Sequence, residues 1–143
     1  MREHISAKGS VHLRIFNAQG ELIEDTRQDN LIVNVGKQSI AALVGAATAN
    51  KRVAKIGYGT AATPTAGAQT SIENPFVKAL DGVSYSGTSV SFEFSLDNPE
   101  DNGVTIRELA LFSVDDTMFS RITRNPIDKT SDIRIEGTWT ITF

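Results

Sequence analysis

The amino-acid sequence predicts a mainly β fold: an antiparallel β-sandwich of about seven to nine strands with one short α-helix, roughly residues 36–44. Two observations lead to this prediction. Several short segments alternate apolar and polar residues with a period of two, the pattern of a strand with one buried face. Only one segment has its apolar residues at helical spacing, and turn residues separate the strand-like segments.

The last segment gives the clearest strand signal. Its apolar members from residue 132 onward are Ile133, Ile135, Gly137, Trp139, Ile141 and Phe143, each separated by one polar residue. A helix would distribute these side chains around its axis, so the period predicts a strand. The polar positions carry charge only in the first half of the strand. We therefore expect this strand to be either a structural element or a contact surface that offers an edge to another chain, and we expect no domain after Phe143.

A β-hairpin is predicted near the start of the chain. Val11, Leu13 and Ile15 alternate with polar residues, and a turn over residues 17–20 ends in Gly20, which accepts a positive φ. The return strand covers residues 21–26, and residues 31–33 continue its β character.

The predicted helix has its apolar side chains on one face. Ile40, Leu43 and Val44 follow the i, i+3, i+4 spacing, Asn34 can cap the start, and Gly45 suits the position after the last turn. A helix this short is not stable alone in water. We expect its apolar face to lie against the sheet.

A strand over residues 52–59 and a long loop over residues 60–71 come next. Long loops inside compact domains are usually functional or mobile. The side chains of this loop are small and uncharged, so we expect it to contact another protein and to become ordered on assembly. A turn at residues 74–75 then leads to apolar anchors at Phe76, Val77 and Leu80.

The second half of the chain is denser in strand signal. Residues 89–96 alternate cleanly, whereas the period of the strand over 104–114 breaks near Arg107 and Glu108. A β-bulge there would restore the register. Residues 118–122 predict another strand, and Asn125-Pro126 predicts a bend into the last one.

Length and composition limit the possible classes of protein. The 143 residues are the size of one domain, with 40% hydrophobic and 22% charged residues and no cysteine. A net charge of −3 without a basic face argues against nucleic acid as a partner. No apolar run is long enough for a membrane span, and the first ten residues lack the apolar stretch of a secretion signal.

No residue pattern predicts catalysis, a cofactor or a metal. His4 and His12 have no partner at a diagnostic spacing, and there is no G-x-S-x-G segment. The acidic turn at residues 97–103 is a poor calcium loop, because Pro99 takes the third ligand position. We therefore predict that the chain is not an enzyme and binds no cofactor or metal.

Two aromatic residues suggest an alternative function, that of a carbohydrate-binding module for host-surface adhesion. Tyr58 and Trp139 could form a platform for sugar stacking if both were exposed. Trp139 lies on the apolar face of its strand, so we expect it in the core. No other small-molecule ligand is expected.

The order of several weak motifs over residues 34–122 resembles the tail-collar domain at the start of many tail-fibre proteins of contractile-tailed bacteriophages. The matching residues are Gly36, Ile40 and Ala41 on the helix, Ile56-Gly-Tyr-Gly-Thr60, Pro64, Thr70 and Asn74, then Thr105-Ile-Arg-Glu-Leu-Ala-Leu-Phe112, Asp115-Asp116 and Met118-Phe119. In the fibre proteins a shaft follows this module, whereas here a hairpin precedes it and the sequence ends at Phe143.

The resemblance implies a virion structural protein, assembled in the bacterial cytoplasm as a homo-oligomer with other virion proteins as partners. Its station would be the tail, baseplate, neck or capsid surface, where it would act as an adaptor or decoration. We predict that residues 1–10 form a flexible arm on a single domain over 1–143. Within the arm, Arg2, His4 and Ile5 are predicted contacts, and Phe143 is predicted as a contact or core-closing residue.

Overall fold

The computed structural model describes residues 7–46 and 49–143. These residues form nine β-strands, one α-helix and one 3₁₀ turn. The elements are β1 Lys8–Phe16, β2 Leu22–Ile32, α1 Asn34–Ala46, the 3₁₀ turn Ala49–Lys51, β3 Val53–Gly59, β4 Phe76–Ala79, β5 Gly82–Ser86, β6 Ser89–Leu96, β7 Val104–Ser113, β8 Met118–Lys129 and β9 Arg134–Thr142. The mainly β class with one helix is confirmed.

All nine strands belong to one antiparallel sheet in the order β4-β3-β7-β8-β2-β1-β9-β6-β5. Strand β2 joins two parts of this sheet: most of it pairs with β1, and its last residues, Leu31 and Ile32, pair with β8. Strands β4 and β5 stand at opposite ends of the order, yet only Leu80 and Asp81 separate them along the chain. The sheet must therefore curl until its two ends meet at this link.

The main core fills the inside of the curled sheet. Tyr58 of β3, Phe94 of β6 and Trp139 of β9 form two edge-to-face contacts, each with ring centroids 6.5 Å apart. The Tyr58 hydroxyl donates a hydrogen bond of 2.8 Å to the carbonyl oxygen of Ser95. The two contacts of Tyr58 join β3 and β6, which are far apart in the sheet order, so the two parts of the sheet face each other.

A two-sheet β-sandwich is not specifically supported, because the hydrogen bonds run through all nine strands. Alternation in a sequence shows that one face of each strand is buried, but it does not show whether two sheets are joined at a corner. Here β2 passes from one part of the sheet to the other without interrupting the pairing.

The C-terminal strand lies inside the sheet and not at its edge. Strand β9 pairs with β1 along one side and with β6 along the other. Its polar face carries matched hydroxyls: Ser89 and Thr142 lie 2.9 Å apart, and Ser91 and Thr140 lie 3.2 Å apart. The predicted strand is confirmed, but the expectation that it offers an edge to another chain is wrong.

The helix is longer than predicted and buries less of its apolar face. It covers Asn34–Ala46, so Gly45 lies within it. Ile40 packs against the core, whereas Leu43 and Val44 are 38% and 85% exposed. The helix lies closest to the sheet near its start, at β8, and its second half therefore leaves two apolar side chains uncovered.

Several other elements match the sequence or extend it. The bulge predicted near Glu108 is present as a register shift between Ile106 and Glu108. Strand β8 continues through Asn125-Pro126, where a bend was expected. Residues 8–10 of the predicted N-terminal arm form the start of β1.

Candidate functional site

Among the described residues, the most buried ion pair joins Glu108 and Arg121. The Arg121 Nε donates a hydrogen bond of 2.9 Å to Glu108 Oε1, and the two side chains are 0% and 2% exposed. Glu108 follows the bulge in β7, and Arg121 lies on β8 opposite Ala110. Adjacent strands thus hold the pair on the face of the sheet opposite the main core.

The long loop over residues 60–75 covers this ion pair and is hydrogen-bonded to it. Glu108 Oε2 accepts hydrogen bonds from the backbone N–H groups of Ala61 at 2.7 Å and Glu73 at 3.0 Å. Arg121 donates to the Thr63 carbonyl at 2.8 Å and to the Gln69 side chain at 3.0 Å. The chain's own ion pair therefore fixes the conformation of the loop, and no partner is needed to order it.

Gly59 leaves the space that Glu108 occupies. A Cβ atom at residue 59 would lie 2.7 Å from Glu108 Oε2, closer than such contacts come in proteins. The Gly-Tyr-Gly segment of β3 is thus explained by close packing, because a Cβ on Gly57 would likewise meet the ring of Phe112 at 2.6 Å. This arrangement is structural: both carboxylate oxygens are engaged by groups of the chain itself.

The acidic turn over residues 97–103 surrounds a lysine. Lys129 Nζ donates to the carbonyl oxygens of Asn98 and Thr130, at 3.2 and 3.0 Å, and to Asn102 Oδ1 at 2.9 Å. Burial lowers the pKa of Lys129, while burial raises that of Asp101. Two oxygen atoms of this turn, with the Thr130 carbonyl, thus bind an ammonium group supplied by the same chain.

The other candidate polar groups do not assemble into a reactive centre in the described ranges. His12 lies on the polar face of β1, where its Nε2 is 2.7 Å from Asp25 Oδ1. Within residues 7–46 and 49–143, no group of three or more His, Cys, Asp or Glu side chains is placed to hold a metal ion. His4 lies outside the described residues.

The described residues also line clefts on the surface. A polar cleft of about 350 Å³ is lined by Arg14 and by the carboxylates of Asp81, Glu93, Asp97 and Glu136, and Arg14 lies 3.9 Å from Glu136. Two largely apolar clefts, of about 500 and 420 Å³, share Val77 and Asp116 at the β4 end of the sheet. The helices in the described part of the chain are too short or too polar to span a bilayer.

The predicted interface residues are only partly within the structure. Arg2, His4 and Ile5 lie outside the described residues. Phe143 follows β9, is 48% exposed, and donates its backbone N–H to the Thr88 carbonyl at 3.0 Å. Its side chain therefore does not close the core.

The two aromatic residues considered for sugar stacking are both buried. Tyr58 and Trp139 are each 0% exposed, so they offer no platform. The exposed aromatic side chain at the edge of the sheet is instead Tyr85 of β5, at 83%. Sequence analysis missed it because the Gly- and Ser-rich segment around it gives no strand signal.

Tyr58 gives a testable pH dependence of stability. Burial raises its pKa well above the usual value, and the charges of Asp81 and Glu100 add to the effect. Above pH ~10 the unfolded chain loses this proton while the folded chain keeps it, so stability falls as the pH rises, by about 1.4 kcal/mol per pH unit.

We expect Tyr58→Phe to remove this contribution. The variant loses about 1 kcal/mol at neutral pH, because the Ser95 carbonyl loses its donor, but its stability declines less steeply between pH 10 and 11. Urea unfolding of the wild type and the variant from pH 7 to 11 measures the difference in stability. Both proteins contain the same lysines, so the effect of lysine titration on stability cancels in the comparison. Equal alkaline slopes would contradict the assignment.

No protein-family model matches this chain, and no curated protein or solved structure gives a match to it.

Proposed function

We propose that the chain is a non-enzymatic structural protein of a bacteriophage virion that assembles as a homo-oligomer. The observation that carries the proposal is the open end of the sheet at β5, where Val83 and Tyr85 are 55% and 83% exposed beside an edge that has a strand partner on one side only in the described chain. Large apolar side chains beside unpaired strand edges are typical of surfaces that are covered on assembly.

The buried polar groups support a structural role. The Glu108–Arg121 pair and Lys129 are fully engaged in holding loops to the sheet. Catalytic groups must instead face a space that a substrate can enter. On this proposal the two facing parts of the curled sheet form a rigid, sandwich-like body. The outer surface of this body contacts the partner proteins.

The virion setting comes from the resemblance of residues 34–122 to the tail-collar domain. Close packing gives a reason for some of the resembling residues, since Gly59 packs against Glu108 and Gly57 packs against Phe112. We propose a station in the tail, baseplate, neck or capsid surface, with other virion proteins as partners and assembly in the host cytoplasm.

A carbohydrate-binding role in host adhesion is the second candidate, and the exposure of Tyr85 favours it. A solvent-facing tyrosine can stack against a sugar ring without participation of the buried pair. A glycan array with the wild type and Tyr85→Ala tests this role. Binding that is lost in the variant supports adhesion, and an array without binding removes it.

The experiment for the virion proposal is deletion of the gene in the phage genome that encodes this chain. We expect particles purified by density gradient to contain the protein at a fixed copy number in the wild type and to be incomplete in the deletion. Purified protein added to the incomplete particles should restore them. Complete, infectious particles without the protein would overturn the proposal.

A further inference from the structure

We propose that β5 pairs antiparallel with β5 of a second copy of this chain, about a twofold axis at Ser84. This inference deepens the proposed function, on which it rests, by assigning the surface that joins the copies. The inference is drawn from β5 itself, an exposed edge strand without charged residues. Its side chains match those of a second β5 in one antiparallel register.

The edge is available for pairing. In the described chain β5 pairs with β6 on one side, and on the other side it is the last strand of the sheet. Residues 83–86 are exposed on both faces of the strand, and the hairpin to β6 turns at Gly87, which has a φ of 58°. A second strand can therefore approach the outer side without displacing part of this chain.

The side chains match in the register centred on Ser84. Antiparallel pairing about that residue places Val83 opposite Tyr85 of the second copy, and the same contact occurs again on the other side of the axis. Pairs of an aromatic and a β-branched side chain stabilise neighbouring strands. Ser84 then faces its own equivalent, and Gly82 faces Ser86.

The apolar partners also share the correct face. Val83 is opposite Phe92 and Tyr85 is opposite Val90 in the pairing with β6, so both point to the core side of the sheet. The exposed Val83 and Tyr85 thus extend the apolar face beyond the last covered residues, Phe92 among them at 6% exposure. Pairing with a second β5 continues this face across the axis.

Charge distinguishes β5 from the other end of the sheet. Strand β5 carries no charged residue, whereas β4 carries Lys78, which is bonded to Glu100 at 2.7 Å, and follows Pro75. Charge and proline are the usual protection of an edge that must stay unpaired. In the proposed register Asp81 lies at opposite ends of the two strands, so the copies do not repel each other there.

The decisive test uses opposite charges at the twofold axis. Ser84→Lys places two lysines opposite each other, and we expect it to weaken dimerisation at least tenfold in sedimentation equilibrium. Ser84→Asp alone is expected to weaken it too. An equimolar mixture of the two variants should dimerise again, because lysine then faces aspartate.

A matched control is Val77→Lys on β4, which adds the same charge to the other edge and should leave dimerisation unchanged. Circular dichroism and thermal unfolding check that each variant remains folded. Ser84→Cys provides an independent measurement, since the chain has no other cysteine. Residues directly opposite in antiparallel strands have Cα atoms about 4.5–5.5 Å apart, within the range of a disulfide, so oxidation should cross-link the dimer.

The outcomes separate this inference from the proposed function. A wild-type protein that is monomeric at all concentrations, or an oligomer that Ser84→Lys leaves intact, overturns the β5 pairing. If such a protein still enters particles, the virion role stands. If Ser84→Lys then prevents its entry, the strand that pairs with β5 belongs to another protein. If the two charged variants dimerise when mixed but the protein is found in no particle, the β5 pairing stands and the virion role is overturned.

Discussion

Replacement of Glu108 by glutamine is expected to lower the free energy of unfolding by about 3–5 kcal/mol, the cost of leaving a buried charge without its partner. The carboxylate is fully buried, and it accepts hydrogen bonds from Arg121 and from two backbone N–H groups of the loop. Glutamine keeps the shape but removes the charge, so the guanidinium of Arg121 stays buried without compensation. Urea unfolding at neutral pH measures the loss.

The matched control is Asp116→Asn, which also converts one carboxylate of an ion pair to an amide. Asp116 is 73% exposed and lies 2.6 Å from Lys55, so we expect a loss of less than about 1 kcal/mol. Asparagine tolerates the positive φ of 68° at this position. Similar losses in the two variants would contradict the role assigned to burial.

The loop provides a second measurement for the same variant. Because Glu108 holds the backbone at Ala61 and Glu73, Glu108→Gln should speed hydrogen exchange and proteolysis within residues 60–75 before the strands unfold. A loop that is equally protected in both proteins would show that other contacts hold it.

Gly36→Ala is expected to destabilise the chain by about 3 kcal/mol, near the upper end for overpacking, because the clash involves backbone atoms. A Cβ at residue 36 would lie 2.1 Å from the carbonyl oxygen of Phe119 on β8. A side chain could rotate away, but a strand carbonyl cannot, so the helix must move off the sheet. Thermal or urea unfolding measures the change.

Gly45→Ala is the control within the same helix and should have the opposite sign. Apart from its chain neighbours and the helix backbone, no heavy atom of the described residues lies within 4 Å of a Cβ built at residue 45. Alanine is favoured over glycine by about 0.5–1 kcal/mol in a helix interior, and this is an upper limit for residue 45, which lies in the last turn. We therefore expect the free energy of unfolding to rise by up to that amount. If both alanine variants are instead less stable than the wild type, a cause other than the contact with β8 makes alanine unfavourable in this helix.

Elements with a strict period could be predicted from the sequence, because alternation alone determines their buried face. The clearest cases are β9, β6 and the bulge in β7, where Ile106 and Glu108 break the register as expected. The short strands β4 and β5 could not be predicted. Their residues gain strand structure from pairing with β3 and β6. Strand β4 alternates in burial over only four residues, and β5 shows little alternation.

The buried ion pair was not predicted because nothing in the local sequence connects Glu108 with Arg121. Their approach depends on the register between β7 and β8 and on the space beside Gly59. The open edge at β5 was missed for a similar reason, since the sequence shows which strands exist but not which one is last in the sheet. The expectation instead placed the free edge at the C-terminal strand, which lies between β1 and β6.

The position of β9 between β1 and β6 has a consequence for biosynthesis. Strands β1 and β6 are both made before β9, and they cannot join through it until Arg134–Thr142 have left the exit tunnel. Contacts between such distant parts of a chain slow folding. Until β9 emerges, a nascent copy therefore carries the apolar faces of β1 and β6 without the strand that pairs with both.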